Sequence, residues 1–208
     1  MGESIKRIVG PYQDSYSPNG IIGEKDACGV GFIANIKGVE SNWILKQSLK
    51  GLNCMEHRGG CGGDSDSGDG AGILCSIPWR YLEEEINLKN NQEFDKGLGM
   101  VFMPNKKEKI EVCKSICDKE AGKLSVNKTF WRTVPVNNEI LGPLARANAP
   151  FICQWILYID KKDHQDLERL LFQLRKRIEK KIRETFKNDV GDCEFYFASL
   201  SSLSLIHI

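Results

Sequence analysis

The apolar stretch KDACGVGFIANI, residues 25–36, places a cysteine at the head of a run of strand-forming residues. The pattern predicts a buried strand over 28–36. Two interpretations of Cys28 are open at this point. As an interior residue it would be a small core side chain. If the chain were cut between Ala27 and Cys28, the thiol would share its residue with a free α-amine.

The second interpretation gives Cys28 a chemical role. A free α-amine has a pKa of about 7.7–8.0, so near neutral pH it can accept the thiol proton and pass it to a leaving group. The nucleophile and its base then belong to one residue, and Gly29 and Gly31 leave room for a substrate beside them. Residues 1–27 would be a leader, or propeptide, that masks the amine until it is removed.

Composition argues against several classes of protein. The 208 residues are 41% hydrophobic and 27% charged, as in an ordinary globular domain, and the net charge of +1 gives no bulk argument for nucleic-acid binding. No apolar run approaches about 20 residues, so no membrane-spanning helix is expected. Residues 1–27 lack the apolar segment of a secretory signal and carry too many acidic residues for a typical transit peptide. We therefore expect a protein that is not secreted.

The cysteines predict neither a disulfide scaffold nor a metal site. There are eight of them, but no C-x-x-C pair and no Cys/His cluster with zinc spacing. Without a secretion signal, most are expected to be reduced and buried.

The glycine-rich stretch HRGGCGGDSDSGDGAG, residues 57–72, predicts a tight loop in which backbones approach closely and several positions need positive φ. GDGAG (68–72) lacks the G-x-G-x-x-G spacing of a nucleotide-binding turn, and a strand rather than a helix is expected to follow it. DSDSGD (64–69) resembles a calcium loop, but Gly68 occupies a ligand position and Cys75 stands where a bidentate Glu is required.

His57 and Arg58 stand between a predicted helix and this loop. One interpretation is that they are cations near a helix C-terminus, where they interact favourably with the macrodipole. The other is that the loop carries Arg58 towards a polar site. Spacing alone does not favour either.

Periodicity predicts an alternation of helices and strands along the rest of the chain. Helices are expected over about 42–56, 78–89, 106–124 and 163–187, with a short one around Pro143. Strands are expected over 73–77, 97–103, 130–136, 151–159 and 193–201. Ser41 is placed to cap the first helix. Alternation alone would favour a parallel α/β sheet.

A family resemblance points to antiparallel sheets instead. DACGVGFIANI and LNCMEHRGGCGGDSDSGDGAGILCSIPW resemble the amino-terminal glutaminase domain of glutamate synthase, with its cysteine-glycine start, M-x-H-R-G and G-D-G-x-G. WRTVPVNNEILGPLARANAPFICQ (131–154) resembles the next segment of that family, so the resemblance runs from about 26 to 202. CMEHRGGC and SIPW are most similar to the ferredoxin-dependent, cyanobacterial and plastid type.

The resemblance implies an α+β fold. It is the N-terminal-nucleophile hydrolase fold of class II amidotransferases, an αββα four-layer sandwich of two antiparallel sheets between helix layers, here incomplete at the C-terminus. The implied organisation is a leader or propeptide over 1–27, a partial glutamine amidotransferase domain over 28–202, and an atypical tail over 203–208 that departs from the family as at a truncation.

The resemblance also implies a mechanism and a set of site residues. Cys28 would attack the side-chain amide carbon of glutamine, ammonia would leave, and water would hydrolyse the thioester to glutamate. Arg58, with His57 and Gly59 of the H-R-G motif, would order the site rather than do chemistry. The Asn-Gly oxyanion donors are expected beyond the last residue, so this chain alone should have little glutaminase activity.

In the full-length family protein, ammonia passes to 2-oxoglutarate and ferredoxin supplies the electrons. FMN and an iron–sulfur cluster are implied for that protein, whereas neither they nor a metal is expected to bind to this part. The expected location is the plastid stroma or the cytoplasm. Two alternatives stay open: another class II amidotransferase, such as an asparagine or glucosamine-phosphate synthase, and an inactive folded piece with a structural or binding role.

Overall fold

The computed structural model describes residues 29–56, 59, 64, 66–68, 70–87, 94–187 and 195–207. The helices are α1 (Asn42–Cys54), α2 (Trp79–Glu85), α3 (Lys107–Gly122), α4 (Pro143–Ala147) and α5 (His164–Thr185), with a 3-10 turn over Asn138–Ile140. The strands are β1 (Ile73–Ser76), β2 (Phe94–Met103), β3 (Val126–Thr133), β4 (Phe151–Asp160), β5 (Tyr196–Ser201) and β6 (Ser204–His207).

The strands form two antiparallel sheets, one of four strands in the order β3-β4-β2-β5 and one of β1 and β6. The central strands β2 and β4 pair along their whole length, from Phe94 opposite Asp160 to Met103 opposite Phe151. β1 pairs with β6 between Ile73–Ser76 and Ser204–His207. The antiparallel arrangement agrees with the resemblance rather than with the parallel sheet that alternation alone favours.

Both faces of β2 and β4 are buried, which explains why these strands are almost continuously apolar. On one face, Val101, Trp155 and Leu157 belong to a core with buried side chains of α3 and α5. On the other face, Leu98 and Tyr158 belong to a second core that also contains residues of α2 and β6, together with Ile77 after β1. The four-stranded sheet therefore separates two hydrophobic cores.

Helix α5 has the amphipathic pattern that the sequence predicts. Its buried side chains recur at three- or four-residue intervals along one stripe: Leu167, Leu171, Leu174, Ile178 and Ile182. The opposite face carries its charged residues, several of which pair within the helix, for example Arg175 with Glu179 at 2.7 Å. Burial of the apolar stripe against the sheet and α3 thus stabilises the helix.

Asp118 links α3 to two strands of the sheet. Its carboxylate accepts hydrogen bonds from the Thr129 hydroxyl at 2.8 Å and from the indole N–H groups of Trp131 and Trp155, each at 3.1 Å. The two indole rings are stacked, with their centroids 5.3 Å apart. Since an indole N–H next to a hydrophobic core needs an acceptor, one carboxylate satisfies both tryptophans.

The turn between β5 and β6 is attached to α5 through Glu168. Its carboxylate accepts hydrogen bonds from the Ser202 backbone N–H at 2.8 Å and from the hydroxyls of Ser201 and Ser202. The chain then enters β6, where Leu205 is fully buried in the second core. The assignment of 203–208 as an atypical tail stays a prediction.

The predicted buried strand over 28–36 is wrong for the residues that the structure describes. Residues 29–35 form no strand, and the side chains of Val30 and Phe32 are 95% and 94% exposed. A strand needs a neighbouring strand to satisfy its N–H and C=O groups, and none of the described strands pairs with this segment. The apolar pattern indicates a preference for burial but does not supply the partner.

Other local predictions agree with the structure in part; the strand predicted over 130–136, for example, lies at Val126–Thr133. Ser41 caps α1, because its hydroxyl oxygen accepts a hydrogen bond from the Trp43 N–H at 3.1 Å. The helix predicted over 78–89 is shorter, since α2 ends at Glu85. None of the described helices is long and apolar enough to cross a membrane.

None of the described cysteines forms a disulfide, but only some of them are buried as predicted. Cys113, Cys117 and Cys153 lie in the first core, whereas Cys54 is exposed and Cys75 is partly exposed. Burial raises the pKa of the Cys153 thiol to about 11 and that of the Cys117 thiol well above its usual value. These core thiols are therefore protonated and poor nucleophiles at neutral pH.

Replacing Asp118 with alanine is expected to lower the free energy of unfolding by about 1–3 kcal/mol, because it leaves two indole N–H groups without their acceptor. Urea denaturation followed by tryptophan fluorescence measures the change. Asp166→Ala is the matched control, since Asp166 is exposed on α5 and pairs only with an exposed Arg169. A change in Asp118→Ala no larger than in this control would contradict the assignment.

Candidate functional site

The structure describes the surroundings of the predicted site rather than its centre. Cys28, His57 and Arg58 lie outside the described residues, whereas Gly59 lies within them. The described parts are the segment that follows Cys28, the end of α1, and several residues of the glycine loop. These parts show how the chain neighbours of the predicted site residues are arranged.

The segment after Cys28 contacts the C-terminal end of α1. A Cβ atom built on Gly29 would lie 2.7 Å from Met55 Sδ and 3.3 Å from Met55 Cβ, so the Gly29 backbone lies directly against Met55. Gly29 follows Cys28 in the chain, and Met55 precedes the H-R-G motif by two residues. The fold therefore brings the neighbours of two predicted site segments together.

Gly59 continues the end of α1. Its backbone N–H donates a hydrogen bond to the Glu56 carbonyl oxygen at 3.0 Å, one turn after Met55 N–H donates to the Leu52 carbonyl oxygen. The last residue of the H-R-G motif is thus connected to the helix rather than free in the loop. Gly59 is exposed, so its surface is open to solvent in the described structure.

The glycine loop is anchored at its acidic stretch. Asp64 Oδ2 accepts a hydrogen bond from the Leu144 N–H at 2.9 Å, and Ser67 Oγ accepts one from the Ala145 N–H at 3.0 Å. Asp64 also accepts hydrogen bonds from the Ser67 hydroxyl at 3.0 Å and from the Asp66 N–H at 3.1 Å. Two loop side chains therefore cap the first turn of α4.

The backbone of the loop passes directly against Gly142. A Cβ atom there would lie 2.5 Å from Ser67 Oγ and 2.6 Å from backbone atoms of Asp66 and Ser67. The sequence predicts such a close approach for the glycine loop, but the glycine that permits it lies in a distant segment. Within the loop, Gly70 has the expected positive φ, at +89°.

The hydrogen bonds around Asp64 favour the ionised form of its carboxylate. The Leu144 N–H, helped by the Ser67 hydroxyl and neighbouring backbone N–H groups, lowers the pKa of Asp64 below its ordinary value, against a smaller opposing effect of burial. Both oxygens accept hydrogen bonds from N–H or O–H donors. N–H and O–H donors thus surround the Asp64 carboxylate and balance its charge.

Sequence reasoning missed Asp64, Ser67 and Gly142 as a group. One signal was available, since Pro143 is well placed at a helix start and the preceding Gly142 has no side chain to cap it, although the sequence predicts a helix only around Pro143. An uncapped helix start predicts a capping group from elsewhere in the chain. Which loop supplies it depends on tertiary structure.

A buried ion pair fixes α2, the helix that follows β1. Glu83 is 5% exposed, and its carboxylate contacts Lys96 Nζ at 2.7 Å and accepts a hydrogen bond from the Tyr158 hydroxyl at 3.2 Å. Burial, with the Glu83 charge, raises the pKa of Tyr158 to about 12. The Lys96 ammonium also lies over the Trp79 ring, 5.5 Å from its centroid. The segment after the glycine loop is therefore fixed to the central sheet.

No group of three or more His, Cys, Asp or Glu side chains among the described residues is arranged to hold a metal ion. The GDGAG stretch is followed by strand β1 instead of a phosphate-binding helix. A cavity of about 700 Å³ opens on α3 and β3, and no predicted site residue lines it; its walls are Glu111, Lys114, Ser115, Asp118, Lys119 and Trp131.

Comparison with known proteins assigns the family. Residues 28–207 match the family described as glutamine amidotransferases class-II, and the match begins at Cys28. The chain belongs to this family. Its membership agrees with the mixed helix-and-sheet structure and its antiparallel sheets.

The curated relatives of this amidotransferase chain are much longer proteins. A chloroplastic ferredoxin-dependent glutamate synthase from Oryza sativa subsp. japonica is 38% identical over 201 residues, which are 95% of this chain and 12% of the relative. Ferredoxin-dependent glutamate synthase 2 from Synechocystis is 38% identical over 90% of this chain and 12% of its own length. The enzyme from Pyropia yezoensis is 37% identical over 100% of this chain and 13% of its own length.

Protonation of Asp64 is expected to release the loop from α4. Because the native pKa lies below the ordinary 3.8, the carboxylate stabilises the folded state above about pH 4, and this contribution disappears as the pH falls through the lowered native pKa. Nuclear magnetic resonance of the Leu144 amide proton during acid titration measures the transition.

In Asp64→Asn the titration of the Leu144 amide should be absent, whereas in the control Asp166→Asn it should be unchanged. The same titration in wild type and Asp64→Asn would show that another group controls the Leu144 amide.

Proposed function

We propose that this chain is the glutaminase part of a glutamate synthase, and that Cys28 is its nucleophile. The observation that carries the proposal is the family match, which starts at Cys28 and extends to residue 207. The similarity to ferredoxin-dependent glutamate synthases supports the choice of this enzyme over other class II amidotransferases.

In the proposed reaction, the nucleophile and the base both belong to Cys28. The α-amine of Cys28, freed by removal of residues 1–27, accepts the thiol proton, and the thiolate attacks the side-chain amide carbon of glutamine. Collapse of the tetrahedral intermediate transfers the proton to the leaving nitrogen, so ammonia departs and a thioester remains. Water then adds to the thioester, releasing glutamate and restoring the thiol. Donors to the oxyanion are each worth about 3–4 kcal/mol in comparable sites.

The ordering role proposed for the H-R-G motif is supported by the local contacts. Gly29 against Met55 and Gly59 bonded to Glu56 connect the segment after Cys28 with the segment that carries His57 and Arg58. A cation at the end of α1 also interacts favourably with the helix macrodipole. In this proposal Arg58 positions the site, and His57 and Gly59 shape the turn.

The four-layer N-terminal-nucleophile fold is the architecture that we propose for residues 28–202, after a leader over 1–27. Three observations support it: α3 and α5 cover one face of the four-stranded sheet, β6 contributes to the core on the other face, and α1 contacts β1. The proposed order of layers is helix, sheet, sheet and helix.

Further activities belong to the longer protein in this proposal. The chain spans 12–13% of the length of the relatives named above. Transfer of ammonia to 2-oxoglutarate, electron supply by ferredoxin, and binding of FMN and an iron–sulfur cluster are proposed for its other domains. The chloroplastic relatives support a plastid location. Inactivity of the 208-residue chain alone stays a prediction.

The protein purified from its own source is expected to begin at Cys28. N-terminal sequencing together with intact mass measures this directly. The result expected is a free cysteine amine at the N-terminus, because the proposed base does not exist while Ala27 is attached. An active glutaminase that retains residues 1–27 would contradict the proposed base.

Cys28→Ala is expected to abolish ammonia release from glutamine in the intact protein, because no other group replaces the thiol. The matched control is Cys54→Ala, which removes an exposed thiol near the end of α1. Ammonia release is measured with glutamine as substrate. Normal release by Cys28→Ala would reject Cys28 as the nucleophile.

A further inference from the structure

We propose that Asp64, Ser67 and Gly142 are positioning residues of the glutaminase site, because they hold the loop that begins with the H-R-G motif in one place on α4. This inference rests on the function proposed above. It goes beyond that function, since it gives a role to residues outside the proposed set of Cys28 and the H-R-G motif. We call the three residues the loop anchor.

The H-R-G motif lies just before a short connection with two fixed ends. At one end, Gly59 is bonded to Glu56 at the end of α1. At the other end, Asp64 is bonded to the first turn of α4. Gly59 and Asp64 are five positions apart in the sequence, so their Cα atoms can be separated by at most about 18 Å. Releasing the Asp64 end removes one of the two restraints.

The anchor satisfies every early N–H of α4. Pro143 has no N–H, the Leu144 N–H donates to Asp64, and the Ala145 N–H donates to Ser67. The next N–H, that of Arg146, donates to the Gly142 carbonyl oxygen at 2.9 Å. Gly142 has no side chain that could cap the helix. If the loop were undocked, the Leu144 and Ala145 N–H groups would therefore hydrogen-bond only to water.

The surface to which the loop binds is stabilised by hydrogen bonds of its own. The Arg146 guanidinium donates hydrogen bonds to the carbonyl oxygens of Glu139 and Leu141, each at 3.0 Å. The Asn148 side-chain amide donates to the Leu144 carbonyl oxygen at 2.9 Å. The 3-10 turn and α4 therefore hold together through contacts that do not involve the loop. The loop docks onto a preformed surface.

Gly142 offers a specific way to perturb the anchor. Its φ of −60° and ψ of 160° are accessible to any residue, so an alanine causes no backbone strain there. The alanine Cβ would instead collide with Ser67 and with the loop backbone. Gly142→Ala is therefore expected to displace the loop while α4 keeps its conformation.

We expect displacement of the loop to lower the fraction of molecules whose glutaminase site can bind glutamine. If only a fraction of molecules has the loop docked, the apparent affinity for glutamine falls by that fraction. Weakening the charged hydrogen bonds of Asp64 is expected to reduce kcat/KM for glutamine by about tenfold, mostly through KM.

The experiment uses the intact protein with Asp64→Asn, Gly142→Ala and the double variant. The matched controls are Asp166→Asn, which makes the same charge change on α5, and Gly122→Ala, whose Cβ meets no neighbouring atom within 4 Å. Two quantities are measured: the rate of limited trypsin cleavage after Arg58, and kcat and KM for glutamine hydrolysis. Cleavage reports on the loop independently of activity.

Both single variants are expected to speed cleavage after Arg58 and to raise KM for glutamine. The double variant should show no more than the larger single effect, because both substitutions break the same docking. The controls should match wild type. If either anchor variant fails to fold, Ser67→Ala gives the test, since it removes one hydrogen bond to α4 and keeps that of Asp64 to Leu144.

Unchanged cleavage, or faster cleavage with unchanged glutamine kinetics, would overturn the inference. Additive effects in the double variant would overturn it as well, since they would show that the residues act separately. The Cys28→Ala variant, measured in the same series, distinguishes failure of this inference from failure of the proposed function. If Cys28→Ala loses ammonia release while the anchor variants retain wild-type kinetics, only the inference fails.

Discussion

The full-length pairing of β2 with β4 is the constraint on which the other contacts depend. These ten-residue strands carry apolar side chains towards both faces, so each face must be covered. The helices α3 and α5 cover one face, and α2 with β6 contributes to covering the other. The strands also fix the positions at which the surrounding loops start. Among the parts around the candidate site, α4, which binds the glycine loop, directly precedes β4 in the chain.

Carboxylates that collect several donors connect these layers. Asp118 joins α3 to β3 and β4, Glu83 joins α2 to the sheet, and Glu168 joins α5 to the turn before β6. Asp64 connects the glycine loop to α4 in the same way. Hydrophobic burial is non-directional, whereas these hydrogen bonds require particular geometry. They therefore fix how the layers are aligned after burial has brought them together.

Elements with strong local signals could be predicted from the sequence. Helix α5 followed from its apolar stripe, α1 from the Ser41 cap, and β4 from a largely apolar run. The strand expected over 28–36 failed because strand formation depends on a partner that periodicity does not reveal. The contact between Gly142 and Ser67 could not be predicted because it joins residues 75 positions apart through tertiary structure. The roles of Cys28 and Arg58 came from motif resemblance and stay predictions.

The exposed apolar segment after Cys28 has a consequence for handling the chain in solution. Val30, Phe32 and Ile36 present large hydrophobic side chains to water, and the described strands leave their backbone without a ladder partner. Such a segment can pair edge to edge with a copy of itself, which favours aggregation at high concentration. We therefore expect this short stretch to contribute to self-association of the chain, although the sheet is well packed.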